Sequence, residues 1–163
     1  MRILAKIGIA ARVGTVCLMA IGGALNVAQA ADVPQENIYG PMPAADLQLA
    51  DFKWEFRVVV VFADSPFDPA YTEQMELLAT RPDSLIDRDV VVITDTDPEA
   101  KSPIRMALRP RGFSMVIIDK QGKVALRKPS PWSIREISAS IDKMPMRLQE
   151  LREQRIEALE AKE

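Results

Sequence analysis

Residues 57–69 read Arg57-Val58-Val59-Val60-Val61-Phe62-Ala63-Asp64-Ser65-Pro66-Phe67-Asp68-Pro69. The unbroken β-branched run from Val58 to Phe62 fits a strand buried on both faces. Asp68-Pro69 is a helix-start signal: the Asp caps exposed N–H groups, and Pro at the first position forfeits a donor that had no partner. Tyr71, Met75, Leu78 and Ala79 follow at helical spacing and make one apolar face. Pro82 ends that helix near Arg81. Val90-Val91-Val92-Ile93 is a second buried strand. A helix between two such runs predicts a parallel β-α-β unit.

Further along, Thr94 to Pro110 is polar and marked by proline, with a short helix expected over 104–108. Phe113 to Ile118 reads as a third strand. Asp119-Lys120-Gln121-Gly122 is a tight turn, in which Gly takes a positive φ readily. Lys123 to Arg127 returns as a fourth strand, so the pair is an antiparallel hairpin. Ser133-Ile134-Arg135-Glu136 has capping-box spacing, and Ile134, Ile137 and Ile141 share one helical face. Pro145 breaks this helix. Met146 to Glu163 is strongly helix-forming, with Leu148, Leu151, Ile156 and Leu159 on one side. The class is therefore α/β, and the order of β-α-β, link, β-hairpin, α and an extra C-terminal helix resembles that of a thioredoxin-like sheet domain.

Working back to the start, Arg2 and Lys6 precede an apolar run from Val13 to Val27, and Ala28-Gln29-Ala30 is a small-x-small cleavage site. This is the layout of a secretory signal peptide. Arg12 keeps the continuous run below the roughly 18 residues of a membrane span. Gly14-Thr15-Val16 before Cys17 does not resemble a lipoprotein box. The expected organisation is a signal peptide over 1–30, an extended leader over 31–50, the thioredoxin-like domain over 51–144 and the C-terminal helix over 145–163. The expected location is periplasmic or secreted, without stable membrane insertion after cleavage. Cys17 is the only cysteine and leaves with the signal, so the processed chain has no disulfide.

Several phrases carry a family resemblance. They are Phe52-Lys53-Trp54-Glu55, Val61-Phe62-Ala63, Asp87-Arg88-Asp89, Ile117-Ile118-Asp119-Lys120-Gln121-Gly122 and, the most distinctive, Ile141-Asp142-Lys143-Met144-Pro145-Met146-Arg147. Over residues 51–150 the chain resembles an uncharacterised family of secreted thioredoxin-like domains. Small exported bacterial proteins carry it, and so does a vertebrate coiled-coil-domain extracellular matrix protein. The resemblance implies a thioredoxin-like fold and an exported location, and it implies no catalytic residues. At the hairpin this chain has Asp119-Lys120-Gln121-Gly122, where family members read Gly-Lys-Asp-Gly.

Thioredoxins place Cys-x-x-Cys where the first strand turns into the first helix, whose N-terminus stabilises the thiolate. Here that slot falls within Asp64 to Pro69. Gly112-Phe113-Ser114 stands where a cis-proline normally precedes the third strand. Thiol-disulfide oxidoreductase chemistry is therefore excluded for the processed chain. The chain has no histidine, which removes Ser-His-Asp and Cys-His arrangements and ordinary N/S zinc sites. After residue 30 the glycines are Gly40, Gly112 and Gly122, too few for a phosphate-cradling loop or a dinucleotide fingerprint. Nothing in the sequence calls for a cofactor, a metal or a defined catalytic residue.

Charge is unevenly spread. The whole chain carries −2, and loss of Arg2, Lys6 and Arg12 makes the remainder more acidic, which argues against a general nucleic-acid binder. Residues 31–100 hold fifteen acids against four bases, whereas residues 101–128 hold eight bases against one acid. Arg105, Arg109 and Arg111 are the candidate surface for a small anion or an acidic protein, because the planar guanidinium suits carboxylate and phosphate. The alternative is that Lys and Arg simply protect a sheet edge and offset the acidic half. Asp64, Ser65 and Asp68 mark the former redox slot. They are candidates for a carboxylate-based enzyme, or a helix cap and a solvated loop. Asp95, Asp97 and Glu99 alternate like loop charges. The C-terminal helix either packs on its own domain or joins chains through its apolar side. The leading functional expectation is a non-catalytic binding module.

Overall fold

The computed structural model describes residues 39–161. The expected signal segment, Cys17 and the first part of the leader lie outside these residues. Five strands form one mixed sheet in the order β1-β3-β2-β4-β5. They are β1 (Met42–Pro43), β2 (Arg57–Phe62), β3 (Val90–Asp95), β4 (Ser114–Ile118) and β5 (Val124–Lys128). The helices are α1 (Pro69–Ala79), α2 (Asp83–Ile86), α3 (Pro103–Leu108), α4 (Ile134–Ile141) and α5 (Pro145–Glu160).

Strands β2 and β3 pair in parallel, with Val58 opposite Val91 and Phe62 opposite Asp95. Strand β4 runs antiparallel to β2, and β5 antiparallel to β4. This is thioredoxin-like topology, as the residue pattern implies. All six residues of β2 are buried, because both faces of the sheet are covered. Val59, Val61, Val90, Val92, Met115 and Ile117 pack on one face with Leu78 of α1 and Ile134, Ile137 and Ile141 of α4. Val58, Val60, Phe62, Val91, Ile93, Val116 and Ile118 pack on the other with Ile104 of α3 and with Phe52. Each such side chain contributes about 1.5–3 kcal/mol on leaving water, so three central strands suffice for a firm core.

Three stretches differ from the sequence expectation. Within the leader, Met42 and Pro43 pair with Ile93 and Thr94 as an edge strand, and Ala44 donates its N–H to the Thr94 carbonyl at 2.9 Å. Two residues show no periodicity, and Pro43 reads as a breaker although a sheet edge tolerates it. Helix α2 fills the link after Pro82, burying Leu85. In α5, Leu148, Leu151, Ile156 and Leu159 are all exposed, and the helix is held at its first turns instead.

That attachment is ionic. Arg57, 1% exposed at the start of β2, donates to the Arg88 carbonyl at 2.8 Å and to Glu150 of α5 at 2.9 Å. Lys120 of the hairpin turn reaches Glu150 at 3.0 Å and Asp89 at 2.7 Å. Arg147 lies 3.3 Å from Glu150, and Arg88 forms a two-pronged pair with Asp142 at 2.7 and 2.9 Å. Burial pushes the Glu150 carboxyl up, but the hydrogen bonds and charges of Arg57 and Lys120 outweigh it and hold the group below its ordinary value. Among the described residues no helix is long and apolar enough to cross a membrane.

Candidate functional site

The carboxyl ends of parallel strands are where open α/β sheets commonly bind ligands. At that end of β2 lies the former redox slot. Asp68 is a helix cap: its Oδ1 accepts the N–H groups of Ala70 at 2.8 Å and Tyr71 at 3.3 Å. The Ser65 hydroxyl accepts the Phe67 N–H at 3.2 Å, so the turn is tied to itself. This leaves Phe67 pointing outward, 88% exposed. The Asp64 side chain is 62% exposed and lies 3.8 Å from an Arg105 nitrogen.

Arg105 does not belong to an open anion-binding surface with Arg109 and Arg111. It is buried, and its guanidinium holds the ends of both parallel strands together. Nε donates to Asp95 at 2.9 Å, and Nη2 to the carbonyls of Ala63 at 2.8 Å and Asp95 at 3.0 Å. The Arg105 group also lies 5.4 Å from the centroid of the Phe62 ring. Asp95 is correspondingly no solvated loop charge. It is buried and accepts the Ser102 hydroxyl at 2.6 Å, while Ser102 caps α3 by accepting the Arg105 N–H at 3.0 Å. Asp97 is the loop residue it was expected to be, accepting the N–H groups of Glu99 and Ala100.

Arg109 and Arg111 stay exposed, and neither side chain has a hydrogen bond or ion pair with any described residue. Arg109 terminates α3 in the left-handed region at φ 47°, which swings the chain away from the helix axis. Gly112 follows at φ 58°, and a β-carbon there would lie 3.9 Å from an Asp64 carboxylate oxygen. The loop before β4 therefore faces the former redox slot, as the fold implies. It does so with a glycine, and there is no cis peptide among the described residues.

Beside this loop is an open concave space of about 400 Å³ lined by Arg109, Arg111, Phe113, Ser114, Arg127 and Pro129. No local sequence pattern marks Arg127 as part of this site. The hairpin register sets it opposite Val116, on the α3 side of the sheet, and its Nη2 donates to the Leu108 carbonyl at the end of α3 at 2.8 Å. That register was the signal that could have added it. Among the described residues no group of three or more His, Cys, Asp or Glu side chains is placed to hold a metal ion.

A thioredoxin-like sheet, a strand-to-helix turn of Ser-Pro-Phe-Asp and an opposing glycine loop define a thioredoxin-fold domain whose described residues contain no thiol. The chain belongs to the family described as "Domain of unknown function (DUF4174)", whose pattern matches residues 48–150. No curated protein matches it. Among solved structures it is similar to Plasmodium yoelii thioredoxin peroxidase I, at 20% identity over 59% of this chain and 76% of that one, with a TM-score of 0.46. Desulfothioredoxin from Desulfovibrio vulgaris Hildenborough is similar at 19% identity over 64% and 96% of the two chains, with a TM-score of 0.43. Chloroplastic thioredoxin z is similar at 21% identity over 55% and 81%, with a TM-score of 0.42.

Proposed function

We propose that this chain is an exported binding module that uses the thioredoxin-like framework without redox chemistry. Its signal peptide spans residues 1–30, and cleavage after Ala30 releases a cysteine-free protein into the periplasm or the medium. Binding takes place between the Asp64–Asp68 turn and the loop carrying Arg109 and Arg111. The observation that carries this reading is the pair of exposed guanidiniums, without partners among the described residues, at the carboxyl end of the sheet. Exposed Arg and an exposed aromatic such as Phe67 are residue types enriched at interfaces. The partner is anionic, because the site offers donors and positive charge.

The test is affinity capture from periplasmic extract at low and high salt, with the natural protein and with Arg109→Ala/Arg111→Ala. The expected result is capture that weakens with salt and falls about tenfold or more in the double variant. Capture that is indifferent to both arginines would remove the site. N-terminal sequencing of the exported product tests the first half of the proposal, with Ala31 expected as the first residue.

A further inference from the structure

We infer that the space between Arg109, Arg111 and Arg127 is a binding site for an oxyanion, carboxylate or phosphoryl, borne on a ligand with an apolar part. This rests on the binding reading above and deepens it by naming the ligand chemistry. Three features of the site point the same way.

The lining carries three guanidiniums and no acid. Arg127 has one nitrogen engaged by the Leu108 carbonyl, which ties its group to the end of α3 and leaves its other donors open. Arg109 and Arg111 have no partner among the described residues. Planar groups of this kind take carboxylate or phosphoryl oxygens in paired bonds.

The second feature is Ser114, which is 4% exposed and lines the same space. Its hydroxyl makes no hydrogen bond with any described residue. Protection of a sheet edge by basic side chains explains surface arginines, but it does not place an uncommitted, solvent-reached hydroxyl in the same wall. An oxygen held by the arginines would satisfy it.

The third is the backbone of Arg109. It occupies the left-handed region at the end of α3, where glycine is the favoured residue. An arginine placed there offers the site a side chain at the cost of local strain. Phe113 and Pro129 supply apolar walls beside the charges, so the site suits an anion with a hydrophobic body better than a bare ion.

The experiment titrates the full processed protein with inorganic phosphate, citrate and phenyl phosphate at low salt, following amide NMR shifts. Saturable shifts at residues 109–114 and 127–129 are expected, with Kd of about 1 mM or tighter for the best of the three. Phenyl phosphate should bind more tightly than inorganic phosphate, and comparison with citrate separates a phosphoryl from a carboxylate ligand. Arg109→Gly should preserve or raise the melting temperature and weaken binding about tenfold. Ser114→Ala should weaken it several-fold in a folded protein. Absence of saturation by about 10 mM for all three probes would overturn the site, as would affinities unchanged in Arg109→Gly and Arg111→Ala. If no probe saturates while capture from extract still depends on Arg109 and Arg111, this site falls and the wider binding reading stands. If the probes bind as described and capture ignores both arginines, the site stands and the partner-binding reading falls.

Discussion

The two ends of the central sheet treat arginine in opposite ways. At the end where β2 begins, the buried and half-buried arginines are paired: Arg57 and Arg147 meet Glu150, Arg88 meets Asp142, and Lys120 joins Glu150 to Asp89. At the end where β2 finishes, Arg105 is enclosed by Asp95, yet Arg109 and Arg111 point into solvent without partners among the described residues. The phrases that carry the family resemblance fall mostly at the first end. Asp87-Arg88-Asp89, the Lys120 turn and the stretch from Asp142 to Arg147 all belong to the closed ionic network that docks α5. They identify the fold because they hold it together. Arg109 and Arg111, at the other end, fall outside those phrases.

The contrast between enclosed and open arginines breaks first at Arg105. Arg105→Met leaves the buried Asp95 carboxylate with the Ser102 hydroxyl and the Asp97 N–H but no cation, and it frees the Ala63 carbonyl from its side-chain donor. Removing one partner of a buried ion pair costs about 3–5 kcal/mol, since the remaining charge is uncompensated. Urea unfolding should show a loss of that size. A loss below about 1 kcal/mol, as for a surface arginine, would mean that Arg105 is not the clamp between β2 and β3.

Arg105 departs from the sequence pattern because α3 is short. Arg105 and Arg109 are four apart, a spacing that puts two residues on one helical face. The helix ends at Leu108, and the left-handed turn at Arg109 separates them, one inward and one outward. A six-residue helix is too short to show its buried face in the sequence. Asp95 was obscured in a similar way. The apolar run stops at Ile93, but Thr94 and Asp95 continue the strand because Val61 and Phe62 are there to pair with them. Where the signal was long, it was legible. The valine runs, the Asp68 cap and the Ser133–Glu136 capping box stand as expected, each fixed by residues within one or two turns. Arg127 and the α5 network depend on partners far along the chain, which local patterns do not report.

At the closed end the contrast can be sharpened with pH. The Glu150 carboxyl has its pKa lowered in the folded chain, from an ordinary value of 4.5. A depressed carboxylate contributes stability that is complete above its unfolded pKa and is lost as pH falls through the folded one. The acid limb of the stability curve should therefore begin below about pH 4.5. Glu150→Gln should cost about 1–2 kcal/mol at pH 7, since the group is partly solvated. It should also flatten that limb, because the variant has no proton to bind there. Urea midpoints measured between pH 3 and 7 would show both. An acid limb of unchanged steepness in Glu150→Gln would place the linkage elsewhere.

The smallest expected effect is the most informative about function. Arg109→Ala/Arg111→Ala removes two exposed side chains that contact no described charge, so stability should change by no more than about 0.5 kcal/mol in either direction. Repulsion among Arg109, Arg111 and Arg127 around one space even favours a slight gain. A loss above about 2 kcal/mol would mean that these side chains belong to the architecture, as Arg57 and Arg105 do, and the distinction between the two ends would disappear. A neutral result paired with lost anion binding places them in the opposite category: groups that the fold holds in position but does not need.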